Sequence, residues 1–416
     1  MGPITIFDKS FLQSLSVDES MWFDHFFLSN ICPLFYVETL ADLEKSLKNG
    51  RTSDEEVGII AKKFPEMSGS PSAFHADLCI ANLLGQNIPM TWRIPLRGGK
   101  RVKVNGKEGA VYGLSPEAEA FMRWQKREFL DIERSFAKSW RQILSSLDLK
   151  KMAKGFGAIG VGNETCKTLE DAKAIAENVV SSQDMMFDRI RLCFLFLGVP
   201  RRIQHQVLKR WITAGYPSLT NYAPYAAYVM MVEVFFQVAL RTNLISSERV
   251  SNRIDIGYLF YLPFSMIFVS SDRLHARCAP LFMRDDQEFV WGEDLKADLM
   301  KLNDYYSALP NAIKEKGIMT FASEPPCEGE FLVESLWDRH FPGWRERRKK
   351  HIPKEAIGNA GVIEEIDKII EAPALKQEEA TDESQDADMM LIQRSVHKKK
   401  GSWWQIPKDL KDSKKG

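Results

Sequence analysis

Ile4-Thr5-Ile6-Phe7-Asp8-Lys9-Ser10, near the start of the chain, and Met266-Ile267-Phe268-Val269-Ser270-Ser271-Asp272, far along it, share one pattern: an apolar run followed by an aspartate with a serine two positions away. Packed Ile, Phe and Val are what a strand buried on both faces requires. A carboxylate just beyond such a strand stands where parallel sheets present their sites to solvent. Outward from the first run, Lys9 to Leu28 reads as one or two helices with Phe11, Leu12, Leu15, Trp22, Phe23, Phe26 and Phe27 apolar, and Ser16-Val17-Asp18-Glu19 has the form of a capping box. A second apolar run, Ile31 to Val37, reads as a strand followed by Glu38 and a helical pattern through Leu40, Leu43 and Leu47, closed by Asn49-Gly50. Strand, helix, strand, helix is the opening of a parallel α/β sheet.

Between the two aspartate-tipped strands the character changes. Helical patterns run over Asp54 to Lys63, Phe74 to Leu84, Ser115 to Leu147, Leu169 to Val180, Asp184 to Leu197 and Arg201 to Ala214. Thr91 to Tyr112 alternates and carries Gly98-Gly99 and Asn105-Gly106, which predict a hairpin. The sheet then resumes: Tyr225 to Asn243 is a strongly apolar helix, Ser247 to Leu262 another, ended by Pro263. Met266 to Ser270 is a strand, Asp272 to Phe282 a helix, Glu288 to Trp291 a short edge strand and Asp294 to Leu309 a helix. Past Trp344 the chain turns basic, then acidic over Glu378 to Asp388, then basic and tryptophan-bearing over His397 to Trp404; such blocks predict a mobile tail from Pro353 with at most one helix near Val362 to Ile370.

The 416 residues, 44% hydrophobic and 11% aromatic, suffice for a large core and more than one compact unit. Formal net charge is zero, so no global field draws the chain to nucleic acid, and a polyanion would be held by local clusters or by metal. Six scattered cysteines without a C-x-x-C pair favour buried thiols in a reducing compartment. The N-terminus carries Asp8, Asp18 and Glu19 rather than a basic region before a long apolar stretch, and Glu233 and Pro263 interrupt the two most apolar runs. The expectation is a cytoplasmic protein without a membrane partner.

Four acids stand out: Asp8 and Asp272 after their strands, Glu38 after the second run, and Asp255 at the start of the helix leading to the third strand. In a parallel sheet these places share one edge, so the four can converge. Carboxylates crowded together repel, and a hard divalent ion, Mg²⁺ or Mn²⁺, resolves the repulsion because oxygen ligands suit it. Such an ion lowers the pKa of a bound water and aims it at phosphorus. Taken singly, each acid is better explained as a helix cap or a dipole-complementing charge. Asp42, one turn after Glu38, either reaches the same ion or orients a basic partner, and Glu233, in a very apolar helix, reads as the structural partner of an arginine such as Arg241.

The order strand-Asp8-x-Ser10, Glu38, Asp255 and, seventeen residues later, strand-Ser270-x-Asp272 resembles the PIN-domain nucleases over roughly Pro3 to Asn49 and Tyr225 to Leu309. The resemblance implies a PIN-like parallel-sheet core, 1–50 and 223–310, interrupted by a mainly helical insertion with a small β-hairpin, 51–222, and followed by an extension, 311–352, and a tail, 353–416. It also implies that Asp8, Glu38, Asp255 and Asp272 bind one or two Mg²⁺ or Mn²⁺ ions and cleave phosphodiester bonds, in RNA above all, with Ser10 and Ser270 as supporting hydroxyls. The insertion is far larger than a simple PIN domain has at that place. The competing expectation is a catalytically silent PIN-like scaffold that contacts a partner protein through its helices and tail; an active nuclease silenced by an inhibitor would have the same sequence features.

Other motifs carry less. Gly155 to Gly160 matches G-x-G-x-x-G but follows a lysine-rich segment rather than a buried strand. Arg93, Arg97, Lys100, Arg101, Lys103 and Lys107 crowd the hairpin and Arg201, Arg202, Lys209 and Arg210 one helix, with Trp92 and Trp211 as candidate stacking platforms for nucleic acid. His275 and Arg273 read as helix-surface residues that face a phosphate only if the acids form a site. Lys398-Lys399-Lys400 with Trp403-Trp404 dock either a partner or the protein's own surface.

Overall fold

The computed structural model describes residues 2–45, 50–155, 166–182, 186–346, 368–374 and 389–410. Strand β1 (Ile4–Phe7) runs into α1 (Lys9–Ser14) because Asp8 caps that helix, its Oδ1 accepting from Phe11 N at 3.0 Å. The capping box read at Ser16 forms at the start of α2 (Val17–Phe26): Glu19 N donates to Ser16 Oγ at 3.1 Å and Ser16 N to the Glu19 carboxylate at 2.7 Å. Strand β2 (Leu28–Ile31) then gives way to α3 (Pro33–Ala41), which corrects the strand expected over Ile31 to Val37. Pro33 has no N–H for a sheet, and its fixed φ suits the first turn of a helix, so Leu34, Phe35 and Tyr36 are the buried side of α3 rather than strand residues.

Next come α4 (Ser53–Ala61), β3 (Ser70–Pro71), α5 (His75–Leu83) and the antiparallel hairpin β4 (Lys100–Val104) and β5 (Lys107–Tyr112). Asn105 and Gly106 turn that hairpin at φ of 54° and 80°, as a two-residue connection of this kind requires. The single helical pattern read over Ser115 to Leu147 is two helices, α6 (Pro116–Gln125) and α7 (Asp131–Ser146), because Arg127 takes a left-handed φ of 64°. Helices α8 (Leu149–Gly155), α9 (Leu169–Ser181), α10 (Met186–Phe196), α11 (Arg201–Thr213) and α12 (Leu219–Tyr222) lead to the long α13 (Pro224–Arg241) and the short α14 (Asn252–Gly257). A 3-10 segment, Tyr258–Phe264, carries Pro263 and replaces the continuous helix expected to Leu262. Then follow β6 (Ile267–Ser270), α15 (Arg273–Phe282), β7 (Glu288–Trp291), α16 (Gly292–Ser307), α17 (Asn311–Lys314), α18 (Ile318–Phe321) and α19 (Leu332–His340), and finally the short strands β8 (Met389–Ile392), β9 (Lys399–Lys400) and β10 (Trp403–Trp404).

The main sheet is five-stranded and all parallel, in the order β3-β2-β1-β6-β7. From β1 the chain builds outward through β2 and β3, then returns to the other flank of β1 with β6 and β7. The order therefore reverses between β1 and β6, and the crevice at the carboxyl ends of those two strands is where open α/β sheets place ligands. Asp8 N donates to Val269 O at 3.3 Å, so the two aspartate-tipped strands end side by side.

Both faces of this sheet are covered, which is why its central strands β1 and β6 read as largely apolar runs. Ile6 and Phe268 point into one core with α5, α9 and α13, while Phe7, Ile267 and Val269 point into the other with α1, α2, α16 and α19. Phe7 meets Phe23 and Phe35 edge-on at 5.5 and 5.2 Å between ring centroids. No helix among the described residues is long and apolar enough to cross a membrane.

The tail expected from Pro353 is packed where it is described. Strand β8 pairs parallel with β5, Arg394 donates to Gly69 O and Ser70 Oγ, and Trp403 is 2% exposed, edge-on to Trp22 at 4.7 Å with its Nε1 donating to Asn303 Oδ1 at 2.9 Å. Composition hid this because the anchors, one buried tryptophan and one strand pairing, are short and flank the basic run Lys398-Lys399-Lys400. Trp403→Ala is expected to cost about 3–5 kcal/mol of unfolding free energy in denaturant titration, the range for truncating a buried aromatic. The glycine-rich Phe156 to Gly160, the helix end at Leu47 and Asn49, the acidic run to Asp388 and the helix expected from Val362 lie outside the described residues, apart from the helical 368–371.

Candidate carboxylate site

Asp8 and Asp272 are both first a structural cap and only then a free charge. Asp8 Oδ2 accepts from Ser10 Oγ at 2.6 Å and lies 3.7 Å from His275 Nδ1; Asp272 Oδ1 accepts from Leu274 N at 2.6 Å at the start of α15, and its Oδ2 from Arg249 Nη2 at 3.2 Å. Both caps leave carboxylate oxygens at the crevice between β1 and β6. The bland reading of each acid as a helix cap is thus true of these two, and it does not exclude a site.

Glu38 sits in the second turn of α3, partly buried, with Oε2 accepting a hydrogen bond from Tyr258 Oη. Burial raises its pKa; Lys9 and the Tyr258 bond pull it down, and Asp8 and Asp42 push it up again. Asp255 sits in the first turn of α14. Burial first, then Asp272 and Glu38, push its carboxyl up to about 8, Arg249 opposing and Asp8 adding. Its Oδ2 is buried without a hydrogen-bond partner among the described residues. The four acids therefore feel one another, and the repulsion concentrates on Asp255.

His275 turns out to be a member of this neighbourhood rather than a surface residue: it is 1% exposed. Its Nε2 donates to Asp255 O at 2.7 Å, which leaves Nδ1 to accept from Ser270 Oγ at 2.7 Å, while Ser270 Oγ accepts from Asp272 N at 3.0 Å. One imidazole thus ties the α14 backbone to the turn that carries Asp272. The signal was present in the sequence, since position 275 shares a helix face with Cys278, Ala279 and Phe282, all buried. Arg273 is exposed, as expected. Tyr258 and Arg249 were missed altogether, because nothing in a tyrosine within an apolar run or an arginine in a loop marks them.

Asp42 does not join the quartet. Lys9 Nζ holds its Oδ2 at 2.9 Å, and Arg141 and Lys45 stand 3.7 and 3.9 Å from its Oδ1, so it orients basic side chains, the second of the two roles open to it. Glu233 is paired with an arginine, Arg253, at 2.5 Å. Trp211 is 3% exposed with its Nε1 on Pro217 O and offers no stacking face; Trp92 is exposed but held by Asp286 at 2.9 Å. On the hairpin, Arg97 pairs with Asp77 and Lys103 with Glu108.

Oxygen-only donors, an orphaned buried carboxylate oxygen and crowded negative charge suit a hard divalent cation. Against this, no group of three or more His, Cys, Asp or Glu that could hold a metal ion is assembled among the described residues. A cavity of about 530 Å³ lies elsewhere, along the edge strand β3, lined by Ser70, Ser72, Tyr112, Gln125 and Arg394 and by none of the four acids.

The raised pKa of Asp255 makes a directional expectation. Folded protein keeps this proton where unfolded chain has released it, so the group lowers stability progressively as pH rises from its ordinary value of 3.8 to about 8. Asp255→Asn is expected to melt higher than the unsubstituted protein in metal-free buffer near the top of that window, the gap shrinking toward its bottom. A divalent ion bound to this carboxylate would displace the proton, so Mn²⁺ binding here would raise the melting temperature of the unsubstituted protein more at alkaline than at acid pH. A variant that melts lower throughout would remove the strain assigned to Asp255. Comparison of the chain with known protein families, with curated proteins and with solved structures gave no match.

Proposed function

We propose that this chain is a PIN-like, metal-dependent nuclease that hydrolyses phosphodiester bonds in RNA, with Asp8, Glu38, Asp255 and Asp272 as the residues that hold Mg²⁺ or Mn²⁺. The observation that carries the reading is the buried Asp255 oxygen, without a hydrogen-bond partner among the described residues, near three further carboxylates at the reversal point of a parallel sheet. On this reading the helices of 51–222 are an insertion in a core made of 1–50 and 223–310. When bound, the metal supplies a water of lowered pKa and charge neutralisation at the phosphate.

The protein's own contributions follow from the contacts. Ser10 fixes the Asp8 carboxylate, Tyr258 fixes Glu38, and Ser270 with His275 fixes the Asp272 turn against α14. The Arg249 side chain is 60% exposed, so it is free to exchange Asp272 for a phosphate oxygen.

A second reading, the silent PIN-like binding protein, is favoured by two specific observations: the same arginine occupies Asp272, and no coordinating group is preassembled among the described residues. Incubating purified protein with labelled single-stranded RNA and DNA, in Mn²⁺ or EDTA, separates them. Cleavage of RNA in Mn²⁺ alone is the expected outcome; intact RNA and DNA in both conditions would leave the binding reading.

A further inference from the structure

The Lys-Trp segment near the C-terminal end answers its sequence ambiguity by splitting in two. In the β9–β10 ribbon, Lys400 pairs with Trp403 and Lys399 with Trp404, and cross-strand partners share a face. Lys400 and Trp403 face inward, 5% and 2% exposed, and dock the protein's own core. Lys399 and Trp404 face the opposite way, into a cavity of about 430 Å³ that also receives Lys314 and Lys408. Lys399 Nζ stands 5.4 Å and Lys408 Nζ 5.8 Å from the Trp404 ring centroid, and Lys314 Nζ stands 6.0 Å from that of Trp403.

The charge in this cavity does not balance. Of its three ammonium groups, Lys408 pairs with Glu315 at 2.7 Å and Lys314 donates to a neutral carbonyl, Ser307 O, while Lys399 makes no ion pair among the described residues. Ammonium groups gathered over indole rings with a single carboxylate leave a concave, positive, aromatic-floored site. We propose that it binds a nucleotide unit of a single-stranded nucleic acid, the phosphate on the lysines and the base on Trp404. A base that takes over one face of the indole displaces an ammonium from it, and that ammonium is then available to the phosphate. An acidic peptide would satisfy the charge and leave the ring unused. None of the four acids lines this cavity, and the inference does not rest on their chemistry.

The test is fluorescence anisotropy of a labelled single-stranded oligonucleotide, as RNA and as DNA, with full-length protein in EDTA so that no strand is cut. Trp404→Ala is expected to weaken binding roughly 10-fold or more. Lys314→Gln with Lys399→Gln, surface changes that spare the Glu315 pair, are expected to lower the salt slope by about 0.7 for each phosphate they leave without a cation. Thermal melts check that each variant folds; should Trp404→Ala fail to, the lysine pair carries the test. Polyglutamate and inorganic phosphate serve as competitors and are expected to displace the oligonucleotide poorly. No binding by the unsubstituted protein, unchanged affinity and salt slope in the variants, or equal displacement by polyglutamate would each overturn the proposal. Because EDTA silences the metal-dependent reaction, failure here leaves the nuclease reading standing, and failure of cleavage leaves this one.

Discussion

Asp272→Asn is expected to lower Mn²⁺-dependent phosphodiester cleavage by at least about 10²-fold, the loss that follows when several kcal/mol of transition-state charge stabilisation is removed. Asparagine caps a helix about as well as aspartate, so the amide oxygen still accepts from Leu274 N and α15 still starts at Arg273. The Arg249 pair disappears, but an arginine 60% exposed contributes little to stability through one surface pairing. The variant therefore separates charge from shape: the fold and melting temperature stay near those of the unsubstituted protein while activity falls away. Asp8→Asn is expected to behave alike for the same reason, since Asp8 also caps its helix. Activity above about a tenth of the unsubstituted level in both variants would take these two carboxylates out of the chemistry.

Asp24→Ala is expected to produce a large loss of stability, about 3–5 kcal/mol in denaturant titration, the cost of removing one partner from a buried charged network. Asp24 is fully buried on α2. Its Oδ2 accepts from Glu66 N at 2.8 Å and Met67 N at 2.9 Å, its Oδ1 accepts from Ser68 N at 2.9 Å, and Lys400 Nζ stands 3.9 Å away. Alanine leaves three backbone donors without that acceptor in a place water does not reach, and takes from the almost buried Lys400 ammonium the carboxylate 3.9 Å away while its bond to Phe64 O stays. The damage spreads because this one carboxylate joins α2, the turn before β3 and the C-terminal ribbon. Asp24→Asn, which keeps one acceptor oxygen, is expected to lose less. A loss under about 1 kcal/mol for alanine would mean the turn finds other partners.

The two aspartate-tipped strands were legible because burial on both faces leaves an unbroken apolar run, and because the capping aspartate sits in sequence next to what it caps. The same logic misread Ile31 to Val37: a short apolar run does not distinguish a buried strand from a buried helix face, and Pro33 was the residue that decided it. Pro263 was read as a stop and instead lies inside a 3-10 segment. Asp24, with no acidic neighbour and no motif, gave no sign of its three backbone partners, which lie more than forty positions away in the chain.

In the candidate site, the positions of Asp8, Asp255 and Asp272 followed from the order of strands and helices. What escaped were the groups that hold them. Tyr258 reaches Glu38, and His275 bridges Ser270 to the Asp255 carbonyl, only because a 3-10 segment and α15 pack at the crevice. Asp42, one turn past Glu38 at the end of α3, belongs to Lys9 and Arg141, cations supplied by α1 and α7. Pairings between residues so far apart in sequence leave no local pattern to read.

The central claim is that four carboxylates share a divalent cation at the reversal point of the sheet, and crystals soaked in Mn²⁺ test it by anomalous diffraction. The expected result is a manganese peak within roughly 2.0–2.6 Å of oxygens from Asp8, Asp255 and Asp272, with Glu38 direct or through water. A map with no peak between β1 and β6, and Arg249 still seated on Asp272, would contradict it.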